Sequence, residues 1–528
     1  MRIAPALSTS QFRRRHLLGF GTLLLGAFAA YQLAQYVIYD DMVGLVYAAL
    51  CVAGAAVVVL VLNNWRNGVY LFLSWLLFED LVRKFLGNNM TIYFAKDFLL
   101  LTVFISFFSA VRRKEVQIFK PPFRVPLLVL IWFGALQIFN PASTSIWYGL
   151  MGFKVFFYYV PLVLIGYSLL SSEAELRRFF MVNVALIVIV VSLGIVQSIV
   201  GPSFLNPAVP AEDIREVSTL YRSAPLTGEV AYRPAAVFVS AGRYGDFIMI
   251  SWLIVLGFSG YLLLRHKRGR LLAFIALPIA AAGAFLTASR GPLMWSLMNA
   301  AITSLAFVWG APWKQGEARR VFRSIQRVAL GIAVGIAVLF YAYPNALLSR
   351  LAIYQQTLLP HSGTSDLAFR GWTYPMNNFL GAFDYARWPY GYGLGTTSNG
   401  GQYVARFFHV QPPVIGVESG FGTLVVEMGI VGLILWCVMS SAILFSAYRV
   451  VRRLKGSPWF PLAFVIFWYA FLLLGPATFA GIAAYADFLL NAYLWLLLGL
   501  LFRLPTIALS AQFATAAPGS PPAQRWIR

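Results

Sequence analysis

The residues best equipped for chemistry in this chain are arginines. Arg233 (AYRPAAVF), Arg243 (SAGRYGDF), Arg290 (TASRGPLMW) and Arg370 (AFRGWTYP) each sit beside a strongly apolar segment. A guanidinium stays charged at any relevant pH, and its planar fork of N–H donors suits a phosphate or diphosphate. Two carboxylates stand in VESGFGTLVVEMGIVGLILW, at Glu418 and Glu427. Nine residues apart, they lie about 13 Å from each other along a helix and on nearly opposite faces. They do not form a glycosidase-like pair; Glu418 faces outward at the helix start, and Glu427 anchors the helix internally. A carboxylate at a helix start also gains from the helix dipole alone. In RWPYGYGLGTTSNGG, the alternating Gly391, Gly393 and Gly395 predict either a tight turn or a backbone that approaches a ligand phosphate or sugar. His361 and His409 are further candidate bases.

The elements that position these groups are membrane helices. Of the 528 residues, 60% are hydrophobic and only 11% charged, against about a quarter charged in a soluble domain. Apolar runs long enough to cross a bilayer predict fourteen helices, at 17–39, 43–63, 68–86, 91–111, 125–140, 152–171, 178–200, 235–264, 271–288, 292–310, 326–343, 419–447, 459–477 and 481–503. The chain is expected to be an all-α polytopic membrane protein. Glu79, Asp80, Arg83 and Lys84 crowd the end of the third span. Cys51 and Cys437, the only cysteines, both fall in spans, and no metal cluster or disulfide framework is expected.

The net charge of +22 suggests nucleic acid, but its distribution argues otherwise. With the N-terminus in the cytoplasm, every second connection is basic (FRRRH, NNWRNG, VRRKEVQIFKPPFR, RHKRGR, YRVVRRLKGS), as the positive-inside bias requires. Arginine on the outer side runs against that bias. Arg215, Arg222, Arg233, Arg243, Arg290, Arg350, Arg370, Arg387 and Arg406 all fall there. The alternative to a ligand is that they snorkel to headgroups or pair with Asp246, Asp366 and Asp384. The expected organisation is helices 1–7 in 1–200, an outer loop at 201–234, helices 8–11 in 235–343, a large aromatic outer loop at 344–418, helices 12–14 in 419–504 and a disordered cytoplasmic tail at 505–528.

In this order the pieces resemble the bacterial O-antigen ligase and O-antigen or exopolysaccharide polymerase family, over roughly residues 230 to 435. The resemblance rests on Tyr232-Arg233 ahead of Phe238, on Thr287, Ser289, Arg290 and Gly291, on Arg370 with Trp372, on Pro389 with Gly391, Gly393 and Gly395, and on Glu418 to Gly432. It implies a helical fold similar to polyprenyl-dependent (GT-C-like) glycosyltransferases. The implied activity moves a glycan from a polyprenyl-diphosphate carrier to an acceptor sugar on the outer face of the bacterial cytoplasmic membrane, with no nucleotide sugar and no metal or other cofactor. Implied partners are the lipid-linked donor, the glycan acceptor, membrane lipid and other glycan-assembly proteins, with no nucleic acid.

In that reading Arg233, Arg243, Arg290 and Arg370 bind the diphosphate, Trp372 and the three glycines face the glycan, and Arg290 and Arg370 also serve catalysis. Where the family has histidine, this chain has Glu418, followed by Ser419 in place of asparagine. Glu418 is then either the base for the acceptor hydroxyl or an ion-pair partner of Arg290 or Arg370. The rival classes are a flippase of lipid-linked glycans, for which Lys96, Asp97, Lys154 and Asp487 would line a path, and a non-catalytic assembly subunit.

Overall fold

A computed structural model of the chain describes residues 42–86, 90–206, 220–224, 227–265, 268–312, 340–358, 369–397, 404–405, 408–410 and 415–515, with isolated helical residues between 323 and 338. The expected span at 17–39 lies outside the described residues, as do Arg215, His361, Asp366 and Arg406, and the span expected at 326–343 is described as helical with interruptions.

The helices in chain order are α1 (Met42–Asn63), α2 (Trp65–Phe85), α3 (Met90–Arg112), α4 (Arg124–Gln137), α5 (Ile146–Phe157), α6 (Leu162–Leu169), α7 (Glu173–Val200), α8 (Ala241–Leu264), α9 (Arg270–Leu286), α10 (Arg290–Gly310), α11 (Pro344–Leu358), α12 (Tyr374–Gly381), α13 (Gly420–Arg453), α14 (Phe460–Leu474), α15 (Pro476–Phe479) and α16 (Phe488–Thr515). A single antiparallel hairpin, β1 (Tyr221–Ser223) and β2 (Val230–Tyr232), is the sheet among the described residues. Among the described residues, eight helical segments are long and apolar enough to cross a membrane, so the chain is an all-α, multi-pass membrane protein. The expected helices at 125–140 and 271–288 are apolar but shorter, and α9 carries Pro278 inside it. The last helix begins at Phe488 rather than 481 because the chain from Ala480 to Asp487 is irregular, with Gly481 at φ +94°.

The chain divides into two compact units. In the first, residues up to 72 together with 97–109, Trp65 meets Phe107 edge-on at 5.1 Å and Ser106 Oγ donates to the Leu62 carbonyl. The second, residues 73–96 and 110–528, is built around α8. That helix is apolar and buried on every side, as expected for a central membrane helix, and packs against α7, α9, α10 and α14. Small residues let the neighbours close in. A Cβ on Gly166 of α6 would stand 2.1 Å from the Leu496 carbonyl, and one on Gly499 of α16 would stand 2.1 Å from that of Val163.

Helix direction collects the chemistry at one end of this unit. Tyr261, late in α8, meets Trp459 just before α14 at 5.2 Å, so α8 and α14 run antiparallel. The short links α8–α9, α9–α10 and α13–α14 then place the starts of α8, α10, α13 and α16 and the ends of α7, α9 and α14 together. Two starts are fixed by their own side chains. Ser172 caps α7 by accepting from Glu175 N while Glu175 accepts from Ser171, and Ser240 caps α8 by accepting from Arg243 N.

Candidate functional site

The hairpin sets the first pair of arginines. Arg222 lies opposite Ala231, and the ladder continues through Arg233 N to the Leu220 carbonyl at 2.7 Å. Residues 222 and 233 are therefore diagonal neighbours on one face. Arg233 Nε donates to Ser289 Oγ at 2.9 Å, which carries the pair to the first residue of α10, Arg290. Burial, and after it the like charge of Arg222, pulls the Arg233 guanidinium below its usual range. Burial likewise pushes the adjacent Tyr232 hydroxyl up to about 12, keeping it neutral.

The corner between α9 and α10 is shaped for this arrangement. Ala288 is buried at φ +51°, and Thr287 Oγ1 donates to the Ala284 carbonyl and accepts from Ser289 N. Ser289 occupies the N-cap position of α10, yet its hydroxyl does not cap the helix and faces Arg233. The uncapped first turn of a long helix presents backbone N–H groups and the positive end of its dipole, a ready place for an anion. Arg222, Arg233 and Arg290 thus border one helix start.

Glu418 forms a second focus. It is exposed before α13; its Oε2 accepts from the Tyr374 hydroxyl at 2.5 Å, and its N–H donates to Asn378 Oδ1 at 3.5 Å. Tyr374 follows a π-helical turn, Phe369–Thr373, that contains the backbone of Arg370; the Arg370 side chain lies outside the described residues. The Trp372 ring is exposed and 5.8 Å from Phe479. Ser419 is buried and donates to the Phe479 carbonyl at 3.0 Å. His409 is exposed, with φ +52°.

Gly391, Gly393 and Gly395 approach the protein's own backbone. All three are buried at positive φ, and added Cβ atoms would meet Glu427 O at 2.5 Å, Asn140 Cβ at 3.2 Å and Tyr148 O at 2.1 Å respectively. The loop lodges against a break in α13 at Gly429, φ +70°. There it replaces lost helix bonds: Tyr392 N donates to Val426 O, Gly393 N to Glu427 O, and Ile430 N to Trp388 O. Glu427 is fully buried, and its carboxylate accepts from Gly395 N, Thr397 N and Thr397 Oγ1 at 3.0, 2.9 and 2.7 Å. Its partner is this loop rather than a neighbouring span, the partner expected from the sequence.

Arg243, expected to bind the diphosphate or pair with Asp246, is within electrostatic reach of Asp246, but its direct partners are other acids. Its Nη1 donates to Asp80 Oδ2 at 2.8 Å, its Nε lies 3.6 Å from Asp487 Oδ2, and its Cζ is 4.5 Å over the Phe488 ring. It belongs to a buried circuit that sequence reasoning missed. From Arg243 the circuit passes to Asp80, to Arg83 (3.6 Å), to the Tyr93 ring (5.4 Å), to Lys96 (3.5 Å), to the Phe488 ring (4.6 Å) and back. Lys96 also pairs with Glu79 at 3.0 Å. The acids crowding the end of the third predicted span were the signal.

Asp80→Asn removes one charge from the middle of this circuit. The expected cost is about 3–5 kcal/mol, read as a lowered melting temperature of the purified protein; an unchanged melting temperature would show that Arg243 finds its partner elsewhere.

One strand of chain joins the arginine corner to the buried circuit. After Arg233, the Ala235 and Ala236 N–H groups donate to Gln197 Oε1 at 2.9 and 2.6 Å, Ala236 O accepts from Lys84 Nζ at 3.0 Å, and Val239 N donates to Asp80 Oδ2 at 3.3 Å. Compared with known proteins, the chain matches no family model and no curated protein.

Proposed function

We propose that the chain is a polyprenyl-diphosphate-dependent glycosyltransferase of the O-antigen or exopolysaccharide polymerase and ligase type. It crosses a bacterial cytoplasmic membrane fourteen times in a GT-C-like helical fold, with both termini in the cytoplasm and the arginine end outside. The observation that carries this reading is the placing of Arg222 and Arg233 on one hairpin face against the start of α10, beside Arg290. Like charges brought together at a half-buried helix start suit a multiply charged anion.

The lipid diphosphate sits at that corner, where the guanidinium groups offset the negative charge that builds as the glycan leaves. Glu418, exposed at the same end of the helices, takes the proton of the attacking acceptor hydroxyl, and Tyr374 orients it. Exposed Trp372 and Tyr390 supply faces for sugar rings. The bond from the anomeric carbon to the diphosphate oxygen breaks as the acceptor oxygen bonds to that carbon, with inversion. Polymerisation onto a second lipid-linked chain is preferred over ligation to a lipid core. The flippase alternative gains little, because Lys96 and Asp487 are matched by Glu79 and Arg243.

The test is purified protein in lipid nanodiscs with a polyprenyl-diphosphate glycan and an acceptor glycan. Free polyprenyl diphosphate is expected to appear as the product lengthens. Glu418→Gln should lower kcat by about 10²-fold with little change in donor KM. A wild-type protein that binds donor and releases no polyprenyl diphosphate would retire the enzymatic reading.

A further inference from the structure

Arg350 has no part in the chemistry above, yet it is 2% exposed and touches three elements at once. Its Nε donates to the Leu286 carbonyl at 3.1 Å, and its Nη2 donates to the carbonyls of Ser198 at 3.3 Å and Tyr232 at 3.0 Å. Tyr232 is the residue before Arg233, and Leu286 ends α9 just before the Thr287–Ser289 corner. One guanidinium therefore holds both pieces of chain whose side chains meet at Arg233 and Ser289.

The same face of α11 repeats the contact. Tyr354, one turn on, donates to the Phe285 carbonyl at 2.6 Å. Ile353 between them is fully buried in an apolar cluster with Ala224 and Ala231 of the hairpin region and Ala288 of the corner. α11 also opens the long connection that leads to Arg370 and Tyr374, so the clamp and the Glu418 focus share one stretch of chain.

We propose that Arg350 is a positioning residue that sets the spacing of Arg233 and Arg290. α11 acts as the bracket that holds the phosphate-binding corner in register with the outer loop. The proposal rests on the glycosyl-transfer reading for its activity arm. Its physical reason is that catalytic donors must be held within a fraction of an ångström; small displacements cost as much as about 10²-fold in rate. A guanidinium reaching three carbonyls fixes their separations, which a lysine, as a point charge, does not.

The experiment compares wild type, Arg350→Lys, Arg350→Met and the milder Tyr354→Phe in nanodiscs. Donor turnover and amide hydrogen exchange are followed over residues 220–233 and 284–291. The expected result is a fall in kcat of about 10²-fold for Arg350→Met, with a much smaller change in donor KM, and faster exchange in both segments. Arg350→Lys falls between, and Tyr354→Phe loosens the 284–291 segment alone. Active wild type with variants that keep kcat within a few-fold overturns the positioning role, whether or not exchange quickens. A wild type that binds donor without turning it over retires the glycosyl-transfer reading itself, which the exchange data then separate from the clamp.

Discussion

Arg290→Ala is expected to reduce glycan transfer by about 10²–10³-fold while the protein still reaches the membrane in normal amount. The residue opens α10, whose first turn has no side-chain cap. Alanine there keeps the helix and removes the charge, so the loss should appear in turnover rather than in abundance. Arg290→Lys retains a point charge without the planar fork and should recover part of the rate. Arg387, exposed in the loop that carries the glycines, serves as the comparison, and its alanine variant should remain near wild type. Product chain length and membrane-fraction protein are measured together. Full transfer by Arg290→Ala would remove the arginine corner from the mechanism.

Gly395→Ala should act on stability instead, and strongly. The added methyl would sit 2.1 Å from the Tyr148 carbonyl, and the residue already holds φ +80°. The position combines a left-handed backbone with a backbone–backbone contact that no rotamer change can relieve. A cost of about 3 kcal/mol follows, seen as a lower melting temperature and poor recovery in detergent. Gly416→Ala is the matched control, since nothing lies within 4 Å of its Cβ position. Equal behaviour of the two variants would mean that the loop is not lodged against α5 and α13 as described.

The parts of the fold that could be read from the sequence are those fixed by composition over a span. The helix expected at 91–111 is Met90–Arg112, and that at 292–310 is Arg290–Gly310. Apolar length alone decides such segments in a bilayer. The start of the last helix was misplaced because Ile482 to Tyr485 are as apolar as a helix yet lie in an irregular segment fixed by tertiary bonds, such as Tyr485 OH to the Gly420 carbonyl.

The site divides in the same way. Residue types named Arg233, Arg290 and Glu418, and the pleat of a hairpin with three-residue strands then determined that Arg222 joins Arg233. Nothing local encodes the bond from Arg243 to Asp80, which spans 163 residues, or that of Arg350 to Tyr232, which spans 118. The three glycines illustrate the limit best: positive φ was legible as a need for glycine, but whether the near neighbour is a ligand or a carbonyl of the same chain depends on packing.

The buried circuit of Arg243, Asp80, Arg83, Tyr93, Lys96 and Phe488 also constrains the order in which the protein is built. Its members are separated by up to about four hundred residues of chain, so the first carboxylates and cations are made well before their later companions. Until Asp487 and Phe488 emerge from the ribosome, Arg243 lacks one of its two acids and its aromatic face. This electrostatic lock therefore closes only when α16 supplies Phe488 to Lys96 and Arg243.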